Sequence, residues 1–361
     1  MTPLFVLTPR PFVSPLRRVL TPVCALAAAL AIGGVIVALL GRSPAAAFRV
    51  FLVEPLTDPW AAQEVLLKAT PLVLIATGLL FCFRASRWNI GAEGQFLVGG
   101  LCGGGIAILT HGMTGAWILP AMMLAGACGG LAYAALPALL RVRFGISEIL
   151  TSLMLVYVAD LLLDYLVRGP WRDPKGFNFP QSVAFSDAAL LHPLLEGGRL
   201  HAGMILALAA ALAAALVFRR TLFGFAIAAS GEAPRAANFA GFNEGRITIL
   251  VFLISGALAG LAGVIEVAGQ VGQLRPGFGQ GLGFTAIIVA FLGRLSPLGA
   301  VLAALVIAVL LIGAESAQVS LKLPLDLARF FMGLLLICIL LGESLERYRI
   351  RFRRAEKERP A

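Results

Sequence analysis

The chain has 361 residues, of which 59% are hydrophobic and only 13% charged, and its mean hydropathy is +0.92. A soluble fold of this size needs far more polar surface, so the apolar excess must face lipid, and at about 20 residues per crossing the length allows roughly ten spans. The net charge of +10 sits at segment ends and in the tail rather than on one face, which reads as a topology signal and not as a nucleic-acid surface.

The first apolar run covers 19–40 and follows Arg10, Arg17 and Arg18. Ala45-Ala46-Ala47 beyond it imitates a signal-peptidase site. The run is longer than an ordinary secretion signal and more runs follow, so an uncleaved first helix is expected. Further runs fall at 65–83, 95–110, 116–139, 148–167, 202–218, 247–267, 283–293, 297–314 and 326–342. The eighth is short and flanked by glycine, as half of a broken helix would be. The expected fold is therefore all-α and polytopic, with about ten transmembrane helices. An internal N-terminus places 19 of the 29 Lys and Arg residues inside, so both termini are expected in the cytoplasm. Residues 1–18 then form a cytoplasmic N-terminal segment, 19–345 the membrane domain, and 346–361 a basic tail lying on anionic lipid headgroups.

Five cysteines, Cys24, Cys82, Cys102, Cys128 and Cys338, lie in or beside apolar runs without C-x-x-C spacing. They read as small apolar fillers, and His111, His192 and His201 lack ligand spacing, so no metal site is expected. Within the fifth run, Asp164 and Arg168 have the spacing of a helical ion pair at the outer end. Asp160 adds an acid on the same face but no second acidic motif accompanies it, which leaves a prenyltransferase-like metal site without support.

Two loops are long. The external one, 168–201, is too short to be a solute-binding domain. The internal one, 219–246, contains Pro234 at a first helical turn, Glu232 where an acid complements the helix dipole, and Gly241 as a terminator. A helix of about two turns is predicted, with Ala236, Ala237 and Ala240 as a small-residue surface and Phe239 as an apolar anchor. From the residues alone it is either a docking element for a cytoplasmic protein or an ordinary turn. No G-x-x-x-x-G-K-[ST] segment occurs, so ATP use would require a partner.

Two more segments combine glycine with polar residues. Asn89, Glu93 and Gln95 stand around Gly91 and Gly94, where non-helical backbone near the membrane is tolerated only if it is buried or lines a wet cavity. A carboxylate at membrane depth costs about 2.5–3.5 kcal/mol, so Glu93 needs a partner or a role unless it is solvated in a plain hairpin. Gly277 to Phe284 forms a glycine-rich approach to the short eighth run. Glu266 and Gln270 lead toward it and are, with Asn89, Glu93, Gln95 and Phe284, the candidate translocation-path residues.

The blocks W-N-I-G-A-E-G-Q at 88–95, S-E-I-L-T-S-L-M-L at 147–155, G-E-A-P-R-A-A-N-F-A-G at 231–241 and G-L-G-F-T-A-I-I-V-A-F-L-G-R at 281–294 resemble the permeases of bacterial ABC importers for simple sugars and nucleosides. They occur in family order across roughly 60 to 345. Trp88 replaces the usual Phe, Ala233 the usual Asn, and Phe291 departs from the common Ala-Leu-Leu-Gly. Branched-chain amino-acid permeases of the same superfamily usually have a Gly-His-Gly-like core where this chain has Gly-Ala-Glu-Gly. The resemblance implies a multi-pass protein of the bacterial inner membrane with no catalytic residue of its own. Its implied partners are an ATP-binding subunit holding ATP and magnesium, a second permease (a copy or a paralogue) and an external substrate-binding protein. It also implies that Gly231, Glu232, Pro234, Arg235, Ala236, Ala237, Phe239 and Gly241 belong to a coupling helix. A permease for another small polar solute, such as a branched-chain amino acid, and an ion-gradient carrier are the alternatives. A gradient-driven carrier has no need of a short docking helix.

Overall fold

The computed structural model describes residues 5–9, 15–194, 198–279, 281–322 and 326–352. All ten predicted runs fold as helices. The elements are α1 (Pro15–Leu39), α2 (Pro44–Phe48), α3 (Glu54–Thr57), α4 (Pro59–Arg84), α5 (Ala92–Leu109), α6 (Ile118–Phe144) and α7 (Glu148–Arg168). They continue with α8 (Gly203–Arg220), α9 (Leu222–Glu232), α10 (Pro234–Phe239), α11 (Glu244–Glu266), α12 (Leu282–Leu292), α13 (Pro297–Leu321) and α14 (Asp326–Arg347). Among the described residues, eight are long and apolar enough to cross a membrane: α1, α4, α5, α6, α7, α8, α11 and α13. α12 has only 11 residues, as its glycine flanks foretold.

Two units make up the chain. The smaller comprises residues up to Val50 and from Ala314 onward. In it α1 packs on α14, and a Cβ on Gly342 would stand 2.8 Å from Thr21 Cγ2. A short antiparallel ribbon, β1 (Phe5–Pro9) with β2 (Tyr348–Phe352), pairs the two terminal segments, Phe5 opposite Phe352 and Pro9 opposite Tyr348. The alternating basic and apolar residues from Tyr348 to Phe352 have the period of a strand, and an all-helical reading of the apolar runs passes over it.

The larger unit, Phe51–Gly313, is built around α4, which is buried along nearly its whole length. Asp58 starts this helix by accepting hydrogen bonds from the N–H groups of Trp60 and Ala61 at 3.3 and 3.2 Å, and Pro59 occupies the first turn. α11 lies against α4, α5 and α6; α8 and α12 also touch α4, and α7 covers α5. Lipid is as apolar as leucine, so helices in a membrane associate through close packing rather than hydrophobic transfer. Here the closeness comes from glycine. A Cβ on Gly99 would meet the Gly260 backbone, one on Gly260 the Gly126 carbonyl oxygen, and one on Gly130 the Gly256 carbonyl oxygen. α5, α6 and α11 therefore meet backbone to backbone.

At one end of this unit the 168–201 segment is hydrogen-bonded onto the end of α11. Phe185 N–H donates to the Gly272 carbonyl at 2.8 Å and Leu191 N–H to the Ala268 carbonyl at 2.9 Å. Ser182 N–H donates to the Leu274 carbonyl at 2.8 Å, and Leu274 N–H returns a bond to Ser182 Oγ at 2.9 Å. Arg199 pairs with Glu64 at 2.6 Å. Beyond Glu266 the helix widens into a π turn, Val267–Val271. His201, 1% exposed, packs its ring against Gly269 of that turn. Its Nδ1 accepts from Gly203 N–H at 3.2 Å, which leaves the ring proton on Nε2, an atom without an acceptor among the described residues.

Two outcomes are expected. Gly260→Val should abolish the monodisperse peak of detergent-extracted protein, because no rotation of a side chain relieves a clash with main-chain atoms. Gly333→Ala, where nothing stands within 4 Å, should leave it intact. Burial depresses the His201 pKa from 6.5 to about 4. Above pH 6.5 the docked and undocked loop are both neutral there; below it the undocked form takes a proton that the docked form refuses. Docking of the loop therefore weakens as pH falls from 6.5 toward 4, by at most about 3 kcal/mol, and levels off below. Hydrogen-exchange protection factors of Phe185 and Leu191 should drop between pH 7 and pH 5, and should not in His201→Asn.

Candidate functional site

The glycine-rich segment before α12 ends at Gly281, whose φ of +81° is a left-handed conformation open to glycine. A short helix inside the membrane leaves its first N–H groups without partners, and no water replaces them. Glu93, in the first turn of α5, supplies the acceptors. Gly281 N–H donates to its Oε1 at 3.1 Å and Gly283 N–H to its Oε2 at 2.5 Å. A Cβ on Gly279 would stand 2.5 Å from Oε1, and one on Gly283 would strike the Glu93 backbone. Those glycines let the broken helix close over the carboxylate, which is 5% exposed.

Beside it, the non-helical stretch 88–91 is fastened by side chains. Asn89 Nδ2 donates to Gln95 Oε1 at 2.9 Å and to Ser255 Oγ at 3.0 Å. Asn89 Oδ1 accepts from Gln95 Nε2 at 3.0 Å and from Gly91 N–H at 3.2 Å. This satisfies both amides and ties the α4–α5 connection to α11. Trp88 stacks on Phe291 of α12 with ring centres 5.8 Å apart. Arg87 pairs with Glu244 at the start of α11, and Arg141 with Glu148 at 3.2 Å across the α6–α7 connection.

The six path candidates do not form one lining. Asn89, Glu93 and Gln95 are gathered and enclosed. Ser255, which binds Asn89, precedes Glu266 by eleven residues, about 16 Å along the helix. Glu266 is 2% exposed, Gln270 is half-buried in the π turn, and Phe284 is exposed on α12. Asp164 and Arg168 make the predicted pair, 2.7 Å apart on an exposed face. Reading the sequence alone missed Ser255, whose hydroxyl in an apolar run was the available signal.

The 219–246 segment holds two helices rather than one. Thr221 caps α9 by accepting from Gly224 N–H at 3.1 Å, and α10 follows with Pro234 in its first turn. A Cβ on Gly231 would meet the Arg84 carbonyl, and Ser86 Oγ donates to the Gly231 carbonyl at 3.1 Å, so α9 is fastened to the end of α4. Ala237 faces inward and is buried, whereas Glu232, Pro234, Arg235, Ala236 and Gly241 are exposed. Phe239 is 97% exposed, the highest value for a large apolar residue among the described residues.

Glu93→Ala should leave two helix-end N–H groups unpaired, at about 1–3 kcal/mol each. We expect a lowered apparent melting temperature in detergent, with Glu93→Gln, which keeps one acceptor oxygen, falling between Ala and the wild type.

The arrangement has known relatives. The family model described as branched-chain amino acid transport system / permease component matches residues 61–340. A glucose ABC transporter permease protein of Haloferax volcanii is 40% identical over 353 residues, covering 94% of this chain and 92% of that protein. A guanosine ABC transporter permease protein of Bacillus subtilis is 29% identical, covering 90% and 93%. A nucleoside ABC transporter permease protein of Lactococcus lactis is 28% identical, covering 82% and 84%. No solved structure matches. The chain is thus a multi-pass membrane protein that belongs to the permease family of ABC transport systems.

Proposed function

We propose that this chain is the membrane-spanning subunit of an ATP-binding-cassette importer in the cytoplasmic membrane, and that it translocates a nucleoside or simple sugar delivered by an external binding protein. Relatives named for glucose and guanosine support that solute class. The observation that carries the reading is Phe239. A phenyl ring left 97% in solvent on a short helix, with exposed small residues beside it, is what a docking anchor looks like before its partner is present. The α9–α10 end is then cytoplasmic, the ATP-binding subunit seats on α10, and the end carrying 168–201 faces outward. A second permease completes the assembly, ATP and magnesium belong to the ATPase, and the family supplies a transport subunit rather than an enzyme.

Gly231 and Ala237 contact their own chain, so substitutions there disturb the fold as well as any docking. Phe239 offers the cleaner probe. Phe239→Asp should leave expression and melting temperature unchanged and cut the ATPase recovered with tagged protein from native membranes at least tenfold, since buried aromatic anchors are worth about 2 kcal/mol or more. ATPase recovery equal to wild type would reject the docking role. Uptake driven by a proton or sodium gradient in proteoliposomes holding this protein alone would replace the importer with a secondary carrier. Labelled guanosine and glucose, each competed by the other unlabelled, would then separate the two solute classes.

A further inference from the structure

Both ends of α12 are held from one corner of the chain, where α4 passes into α5. The start is capped by Glu93, in the first turn of α5. The end carries Phe291, whose ring stacks on Phe83 and Trp88 with centres 5.2 and 5.8 Å away, while Phe83 and Trp88 lie 5.4 Å from each other. The connection 85–91 that bears Trp88 is in turn tied to the 219–246 segment. Ser86, at a left-handed φ of +54° that is uncommon for a residue with a Cβ, donates to the Gly231 carbonyl at the end of α9. Arg87 pairs with Glu244 in the first turn of α11. In the chain α10 lies between these two anchor points, and its Asn238 amide reaches the same Glu244 carboxylate.

An ion pair in open water holds little, because solvent competes for both charges. Here the Arg87 side chain is only 13% exposed, so its guanidinium has little water to turn to once Glu244 is gone. We propose that Arg87 and Glu244 are positioning residues that hold the end of α12 in place through Trp88, so that the docking segment and the broken helix move together. Arg87 and Trp88 are joined by one peptide unit, and their Cα atoms stay about 3.8 Å apart whatever the neighbours do. A displacement of Arg87 is therefore passed to Trp88. The contact of Trp88 with Phe291 falls off steeply with separation, so a small shift removes much of it. The Glu93 cap is then the fixed end of α12, and Phe291 marks the end that is released. Coupling of this motion to ATP use rests on the reading given under the proposed function; the fastening of α12 does not.

The test uses the purified full-length chain in detergent, without any ATPase, so it stands or falls separately from the docking of Phe239. The readout is amide exchange at Gly293 and Leu295, whose N–H groups close the end of α12 on the Val289 and Ala290 carbonyls at 2.8 and 2.9 Å. Glu244→Gln and Arg87→Met should each raise exchange there about tenfold, while Phe185 and Leu191 of the 168–201 loop keep their protection. Should either variant fail to fold, Glu244→Asp, shorter by one carbon, replaces it with a rise at the same amides expected. The swap Arg87→Glu with Glu244→Arg should recover at least half of the loss. Trp88→Leu should raise exchange at the same amides with the ion pair intact, and Trp88→Phe, which keeps a ring against Phe291, should raise it less. Adding Glu244→Gln to Trp88→Leu should change little more, because the two act in series. Unchanged exchange at Gly293 and Leu295 in Glu244→Gln, a swap no better than the single variants, or full additivity with Trp88→Leu would overturn the positioning role. A rise spread equally to Phe185 and Leu191 would show general loosening and overturn it as well.

Discussion

A helix that stops inside a membrane must find acceptors for its first N–H groups, and in this chain one carboxylate provides them. α12 begins at Leu282, and the donors at Gly281 and Gly283 end on the two oxygens of Glu93. Both costs that the sequence raises, a buried acid and a broken helix, are offset by the same contact. A carboxylate that accepts main-chain N–H bonds at a helix N-terminus gains from the dipole as well as from the bonds. The glycines at 279 and 283 follow from it, because a Cβ at either place would displace the acid or its backbone. Glu93 is consequently a structural fastener in this conformation, and its membership of a solute path would require α12 to move away.

The helices around this contact are joined in two different ways. α5, α6 and α11 meet through glycine backbones, an interface that tolerates no side chain and little sliding. The connections between helices are joined by polar side chains: Asn89 with Gln95 and Ser255, Arg87 with Glu244, Arg141 with Glu148. Rearranging hydrogen bonds between side chains is cheaper than separating interlocked backbones. On the proposed transport cycle the glycine core travels as a body and the rearrangements occur at its edges, in the connections and at α12.

Much of this was legible in the residues. Apolar runs gave the helices, the shortness of 283–293 gave the broken one, and Pro234 with Gly241 bounded α10. Spacing alone paired Asp164 with Arg168. The limits were physical. Period and composition carry no information about which faces of which helices meet, so Ser255 was not seen as the partner of Asn89. Equal small residues in a row, Ala236 and Ala237, differ in the fold because one faces α10's own chain and the other does not. The 168–201 loop was visible only as a length. Its hydrogen bonds onto the end of α11 depend on a π turn, and a change from an α to a π repeat leaves no composition mark.

Where a push on α10 would go follows from what holds α9. Gly231 lies against the Arg84 carbonyl, Ser86 binds the Gly231 carbonyl, and Arg84 sits 4.3 Å over the Phe218 ring at the end of α8. These contacts fasten the α9–α10 element to the end of α4, the most enclosed helix of the larger unit. On the proposed function, displacement of α10 by a docked ATPase would be delivered first to α4 and α8, not to a peripheral span. α4 is keyed to α11 by Gly78 against Ser255, and α11 to α5 and α6 by glycine. On that proposal a motion entering at Phe239 would pass through packed helices to the far end of α11, where the loop is seated. That route is what a coupling element requires: an exposed tip attached to a closely packed interior.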